Sequence, residues 1–442
     1  YGYFCTDDGI YGKELWRTDG TTAGTFLLQD LNPGYRSGCD GNIVSSGGSL
    51  YIPGINGTDF GLWRSNGQPG GTVWVKTFNA APQQLVAYNG IVCFVADDGG
   101  GAGAELWCSN GTTGGTYLVK DVYPGSLPAT ITDLTAVGGQ MYFGGRANST
   151  GDFELWKSNG SLAGTVVVRD IWPGSSGSFP QNFGAVGSTV LFTATTSADG
   201  TEVWKTDGTV GGTVMVKDIN TSGSGANGAE GFYQLGGYAY FVGDDGSSGR
   251  ELWRTDGTTG NTTRVADIRP GSSASSPRNF ALINGTHLLF SADDGSAGRE
   301  PWITDGSSTT QLLDISPSGS SDPVGFFATG VGNQIYFRAA AEGYAAGLWT
   351  SDLTPGGTMA VSLLHPEGGN PSNFAFAGSK IVFTASAGVT GTELWSFGQA
   401  DCGDAPGSGY HTLLADGGAC HRTDEVVGPR LGSLIDADDD GQ

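Results

Sequence analysis

Basic residues are scarce in this chain of 442 residues: 21 Lys plus Arg stand against 44 Asp plus Glu, a net charge of -23. Such a charge repels phosphate backbones and anionic lipid surfaces, so nucleic-acid binding and membrane attachment are excluded as expectations. No apolar run is long enough to span a bilayer. The chain opens at Tyr1 with neither Met nor a signal peptide, and is read as processed or incomplete at that end. Only four histidines occur, His287, His365, His411 and His421, without metal-ligand spacing. Helical i, i+3, i+4 apolar spacing is missing over any useful length. Gly223, Gly225 and Gly228 spell G-x-G-x-x-G with no helix to follow, which removes a nucleotide fingerprint. No nucleophile–base constellation can be assembled.

Glycine, by contrast, is abundant at 78 residues, placed between short aromatic and β-branched runs. That arrangement reads as many strands joined by tight turns, not as disorder. The triplet Glu-Leu-Trp or a variant ends at Trp16, Trp63, Trp107, Trp156, Trp204, Trp253, Trp302, Trp349 and Trp395. Nine repeats of so steady a length suit a propeller or a helical array, and the local chemistry is all-β. In the stretch from Gln181, strands are expected around Asn182-Phe183, Val190-Leu191-Phe192, Glu202-Val203-Trp204 and Thr213 to Ile219. The longest connection follows the fourth strand, as from Ile268 to Pro277. It is placed where a propeller needs its crossover from the outer strand of one blade to the inner strand of the next.

The expected fold is therefore a β-propeller of four-stranded antiparallel blades, eight or nine in number, over residues 1–398. The alternative is an open β-solenoid. Second and third strands are expected nine times, inner and outer strands eight times. The first repeat lacks its inner strand and the last its outer one. Trp16, Trp107, Trp204 and Trp253 are expected to be buried between blades.

The six cysteines show no C-x-x-C spacing, so disulfides and an oxidising, extracytoplasmic compartment are expected. If Phe94 faces Trp107 across a hairpin, Cys93 faces Cys108. Cys402 and Cys420 flank one short loop, and Cys5 and Cys39 are read as disulfide cysteines too. Residues 399–442 form a separate acidic tail, where Asp436, Asp438, Asp440 and Gly441 give the D-x-D-x-D-G opening of a calcium loop. A second calcium candidate is the acidic hairpin that recurs at Asp7-Asp8, Asp97-Asp98, Asp244-Asp245 and Asp293-Asp294, with Glu14, Glu105, Glu251 and Glu300 downstream. The simpler reading of those pairs is a turn with solvated charge. The Thr-Asp-Gly-Thr turn is read as structural, because Asn66, Asn110 and Asn159 replace its Asp elsewhere, and either side chain bonds back to such a turn.

Glu14 to Thr21 and Glu251 to Thr258 are versions of one octet, and through it residues 1–398 resemble the bacterial ELWxxDGT-repeat proteins. The tail from Asp401 to Pro406, with Gly418 to His421, is similar to a GDAP-type module of large bacterial surface proteins. The resemblance implies a secreted or surface-associated bacterial protein of a kind mostly without assigned biochemical activity, and no enzymatic activity is expected. The expected function is structural or adhesive, with calcium as a cofactor and other copies of the chain as partners. The unpaired sheet edges suggest head-to-tail assembly, with Tyr410 to Leu414 as a strand donor. A carbohydrate-binding propeller that engages cell-surface polysaccharide is the alternative, and a polysaccharide-active enzyme the second.

Overall fold

The computed structural model describes residues 1–146, 152–226, 230–361, 369–386 and 392–398. They contain 34 strands and no helix, arranged as nine antiparallel sheets. Blade 5 shows the rule: Gln181–Val186, Thr189–Thr196, Gly200–Thr206 and Val214–Lys217 pair in chain order from inner to outer edge. Seven sheets have four strands. The first (Gly2–Asp7, Lys13–Thr18, Phe26–Gln29) shows no inner strand, and the last (Ser372–Ala377, Lys380–Ser386, Thr392–Gly398) no outer strand, among the described residues. The count of strand types is the one expected, and the blade number is nine.

Turn chemistry sets the registers. Ser46 pairs with Ser49 across Gly47-Gly48, and Tyr88 with Ile91 across Asn89-Gly90, with φ positive at all four turn residues. Such two-residue turns match the twist of the strands that they join. Each tryptophan of the third strand lies opposite a large apolar residue of the second: Phe94 faces Trp107, Phe192 faces Trp204 and Phe241 faces Trp253. Trp16, Trp107, Trp204 and Trp253 are only 5–7% exposed. They are buried by the neighbouring blade, as expected. Leu155 and Val168 of blade 4 pack on Phe183, Phe192 and Trp204 of blade 5, and Val203 on the far face packs on Phe241 and Trp253 of blade 6. One core therefore fills each seam, and the period-2 alternation of the strands feeds two seams at once.

Inner strands add a second tie. Gln84, Asp133, Asn182, Asn279 and Asn373 sit at φ 51–60°, beside register breaks in their strands. The Gln84 carboxamide donates to the Ile131 carbonyl at 2.7 Å and accepts from the Leu134 amide at 3.0 Å. Asp133 accepts from the Asn182 and Phe183 amides, and Asn279 donates to the Pro323 carbonyl at 3.3 Å. Each hook joins an inner strand to its neighbour around the axis. The ring closes where Ser396 of blade 9 donates to the Gly20 carbonyl of blade 1 at 2.8 Å.

Two disulfides are present. Cys93–Cys108 joins facing positions of one hairpin, as its register requires. Cys5–Cys39 ties the second strand of blade 1 to the crossover into blade 2. The expected Cys402–Cys420 bond lies outside the described residues. Removal of Cys5–Cys39 as a double Ser variant is expected to cost about 3–4 kcal/mol, since it frees the longer loop of the unfolded chain. Removal of Cys93–Cys108 should cost somewhat less. Urea midpoints of the two variants check the order.

Candidate functional site

Strand order sorts the connections onto two faces. Turns between first and second strands and between third and fourth strands share one face. Hairpins between second and third strands share the other with the crossovers. The crossovers are anchored to the sheets there, as where Thr195 donates its amide to Ser178 and Asp293 to Ser275.

On this crossover face the Glu of Glu-Leu-Trp turns inward. Glu14, Glu105, Glu154, Glu202, Glu251 and Glu300 are fully buried. Each accepts amide hydrogen bonds from the crossover leaving its own blade. Glu14 takes the amides of Leu31 and Gly38, and Glu105 those of Val122 (2.7 Å) and Ala129 (3.0 Å). Glu251 takes Ile268 at 2.9 Å and Ser275 at 3.0 Å. A crossover without regular partners has amides to satisfy, and one buried carboxylate satisfies two of them. Burial pushes Glu105 up to about 8 and Glu14, Glu154 and Glu202 up to about 7, with Glu251 and Glu300 also raised. The amide donors oppose that rise. Asp30, Asp121, Asp218 and Asp314, which follow the outer strands, reinforce it in their blades.

In blade 4 the same geometry gathers three carboxylates. Oxygens of Asp152, Glu154 and Asp170 lie within 4.8 Å of one another, close enough to hold one cation. Glu154, however, already receives the amides of Ile171, Trp172 and Ser178 and the Ser178 hydroxyl. Few of its lone pairs are left for an ion. Sequence reasoning did not single out these three residues as a group. Its available signal was the constant distance of 17 and 24 residues from the Glu to its amide partners in blades 1, 3, 4 and 6.

The acidic hairpins lie on the same face but apart from these clamps. Asp97 and Asp98 accept the amides of Gly99 and Gly100, at 2.9 and 3.0 Å. Asp244 accepts from Gly246, and Asp245 from Ser247 and Ser248. Asp293 accepts from Gly295, and Asp294 from Ser296 and Ala297. Asp7 and Asp8 do the same with Gly9, Ile10 and Tyr11. Lys76 pairs with Asp98 at 3.3 Å and Arg269 with Asp293 at 2.7 Å. These aspartates shape their own turns, and the expected companions Glu14, Glu105, Glu251 and Glu300 are committed to the crossovers. The tail residues Asp436, Asp438 and Asp440 lie outside the described residues.

On the opposite face, Asp207 and Asn159 play one part: each accepts the amide two residues on, from Thr209 at 2.8 Å and from Ser161 at 3.0 Å. Basic side chains reach across the seams to these turns. Lys157 donates to the Gly208 carbonyl, Lys205 to Gly257 and Arg254 to Gly306, at 2.8, 2.8 and 3.0 Å.

No protein-family model matches the chain, and no curated protein matches it. Among solved structures it is similar to a prolyl endopeptidase, at 12% identity and a TM-score of 0.42, over 81% of this chain and 54% of that one. It is also similar to puromycin hydrolase, at 12% identity and a TM-score of 0.43, over 86% of this chain and 61% of that one. The chain thus spans somewhat over half the length of these neighbours. The chain forms a nine-bladed β-propeller that carries two disulfides, and no helix among the described residues is long and apolar enough to cross a membrane.

Proposed function

We propose that this propeller is a non-enzymatic structural protein of a cell surface or extracellular matrix, of the ELWxxDGT-repeat kind. The observation that supports this reading is the use of the polar residues that recur around the ring. Buried glutamates hold crossovers, aspartates and asparagines close turns, and lysines and arginines join blades, each in the same role from blade to blade. Catalysis needs a place where that pattern gives way to a reactive constellation. The two disulfides fit an oxidising compartment. Thr392–Gly398 has no outer neighbour among the described residues, and such an edge can accept a strand from a second copy. Electron microscopy of the purified protein, with and without a calcium chelator, tests this. Assemblies with regular subunit spacing are expected, loosened by chelation if Asp436, Asp438 and Asp440 hold calcium at the junctions. Dispersed single rings at high concentration in both conditions would sink the structural reading.

A carbohydrate-binding propeller is the second reading, favoured by tyrosines on the crossover-face loops. Tyr35 is 83% exposed and Tyr344 70%. Exposed rings with a polar tip suit sugar faces. Retention on a glycan array, lost when Tyr35 is replaced by Ala, would shift the balance to it.

A further inference from the structure

The glutamate clamps of the crossover face are of two kinds. In blades 4, 6 and 7 the later amide donor is a serine, and its hydroxyl donates to the same carboxylate. Ser178 reaches Glu154 at 2.6 Å, Ser275 reaches Glu251 at 2.6 Å and Ser321 reaches Glu300 at 2.7 Å. In blades 1, 3 and 5 that donor is Gly38, Ala129 or Gly225, which brings an amide but no hydroxyl. At Gly225 a Cβ would stand only 2.6 Å from Glu202 Oε2, so the crossover has closed onto the carboxylate there.

The aspartate that follows the outer strand changes with the clamp. Asp170, Asp267 and Asp314, of the serine blades, are exposed. Asp30, Asp121 and Asp218 are partly buried, and Oδ1 of each is enclosed and meets no hydrogen-bond donor among the described residues. The aspartate is therefore drawn in where the serine is absent and turned out where it is present. The glutamate is its neighbour: even with Asp170 exposed, oxygens of Glu154 and Asp170 lie within 4.8 Å. Asp30, Asp121 and Asp218 are the charged groups that act on Glu14, Glu105 and Glu202, and Asp8 acts in turn on Asp30.

Two carboxylates that share a buried site do not both ionise. One proton between them removes the conflict, because a protonated carboxyl is also a donor. An Oδ1 too enclosed for a water molecule then gains its hydrogen bond from the glutamic acid beside it. A calcium ion would instead need six to eight oxygens. Both oxygens of each glutamate already accept crossover amides. We propose that Glu14–Asp30, Glu105–Asp121 and Glu202–Asp218 each share one proton, and that the crossovers of these three blades loosen when it leaves to water. The ionised pair holds two negative charges side by side, whereas Glu154, Glu251 and Glu300 keep a serine hydroxyl when they ionise. The proposal rests on the geometry of the crossovers and on neither functional reading above.

Carbon NMR of the side-chain carboxyls of the full chain, followed against pH, tests it. The Asp121 and Glu105 carbons are expected to shift together with one midpoint, since a shared proton titrates as a property of the pair. Asp267 and Glu251 should titrate separately. Ala129→Ser supplies the hydroxyl of the other blades; it should lower the Glu105 midpoint by about one to two pH units and release Asp121 from it. Asp121→Asn should lower the Glu105 midpoint by a similar amount, and serves if the serine variant does not fold. In hydrogen exchange of the wild type from pH 6 to pH 9, the Val122 and Ala129 amides should lose roughly tenfold in protection relative to Ile268 and Ser275. An Asp121 carbon that titrates apart from Glu105 overturns the assignment. So does a Glu105 midpoint unmoved in Asp121→Asn, or calcium that survives a chelator in the wild type and is lost in that variant.

Discussion

Trp204→Ala is expected to destabilise the propeller by about 3–5 kcal/mol, the cost of a large aromatic lost from a core that cannot collapse around the gap. Trp204 is 7% exposed and faces Phe192 within its own sheet. On its other side are Leu155 and Val168, which belong to blade 4. The cavity would therefore open at a seam between two rigid sheets, where no loop is available to fill it. Trp395 provides the comparison. It faces Phe383 in the same way, but blade 9 shows no outer strand among the described residues and Trp395 is only partly buried. Trp395→Ala should cost clearly less. Urea unfolding of both variants checks this, and equal shifts in midpoint would mean that the tryptophans are not the anchors of the seams.

The second large effect is a dependence of stability on pH. Burial raises the buried glutamates from the ordinary value of 4.5, to about 7 for Glu14, Glu154 and Glu202 and about 8 for Glu105. A carboxyl raised in the folded state binds its proton more tightly folded than unfolded. Its contribution is complete below pH 4.5 and is lost as pH rises through 7 to 8. The turn aspartates act in the opposite sense. Thr21, Thr209 and Thr258 hydrogen bonds lower Asp19, Asp207 and Asp256, and amide and hydroxyl bonds from Ser308 and Ser307 hold Asp305 at about 2. Their contribution fades as pH falls below the usual carboxylate range. The melting temperature should therefore peak at mildly acid pH and fall by on the order of 10 °C towards pH 8, for several sites each worth a few kcal/mol. Glu105→Gln removes one of these titrations and turns a carboxamide NH2 towards an amide that needs an acceptor. The variant should melt below the wild type, by a wider margin at pH 5 than at pH 8. A margin that is constant with pH would show that Glu105 does not take up a proton in this range.

Much of the architecture was legible because it is local. The spacing of the tryptophans marked nine units, the glycines between apolar runs marked turns, and the pairing of Phe94 with Trp107 placed Cys93 opposite Cys108. Features that depend on what lies across a seam or along a crossover were not legible. Glu14, Glu105, Glu251 and Glu300 read as companions of the acidic hairpins, because their amide partners come up to 24 residues later. Cys5 and Cys39 were legible as disulfide cysteines, but the route of the first crossover that brings them together was not. The inner-strand hooks of Gln84, Asp133 and Asn279 need a left-handed backbone that no motif announces.

Closure between Ser396 and Gly20 changes how this protein should tolerate damage. In an open row of repeats one failed interface splits the molecule in two, and each fragment frays from a new end. In a ring, one failed interface leaves every blade still attached on one side, and the molecule becomes a nine-unit row with its order intact. A second failure elsewhere releases a whole sector. Single lesions should therefore be buffered, and pairs of lesions in distant seams should cost more together than their separate effects suggest, although the residues involved never touch. Such non-additivity at long range would come from redundancy in the way the blades are connected, not from any path of contacts between the two sites.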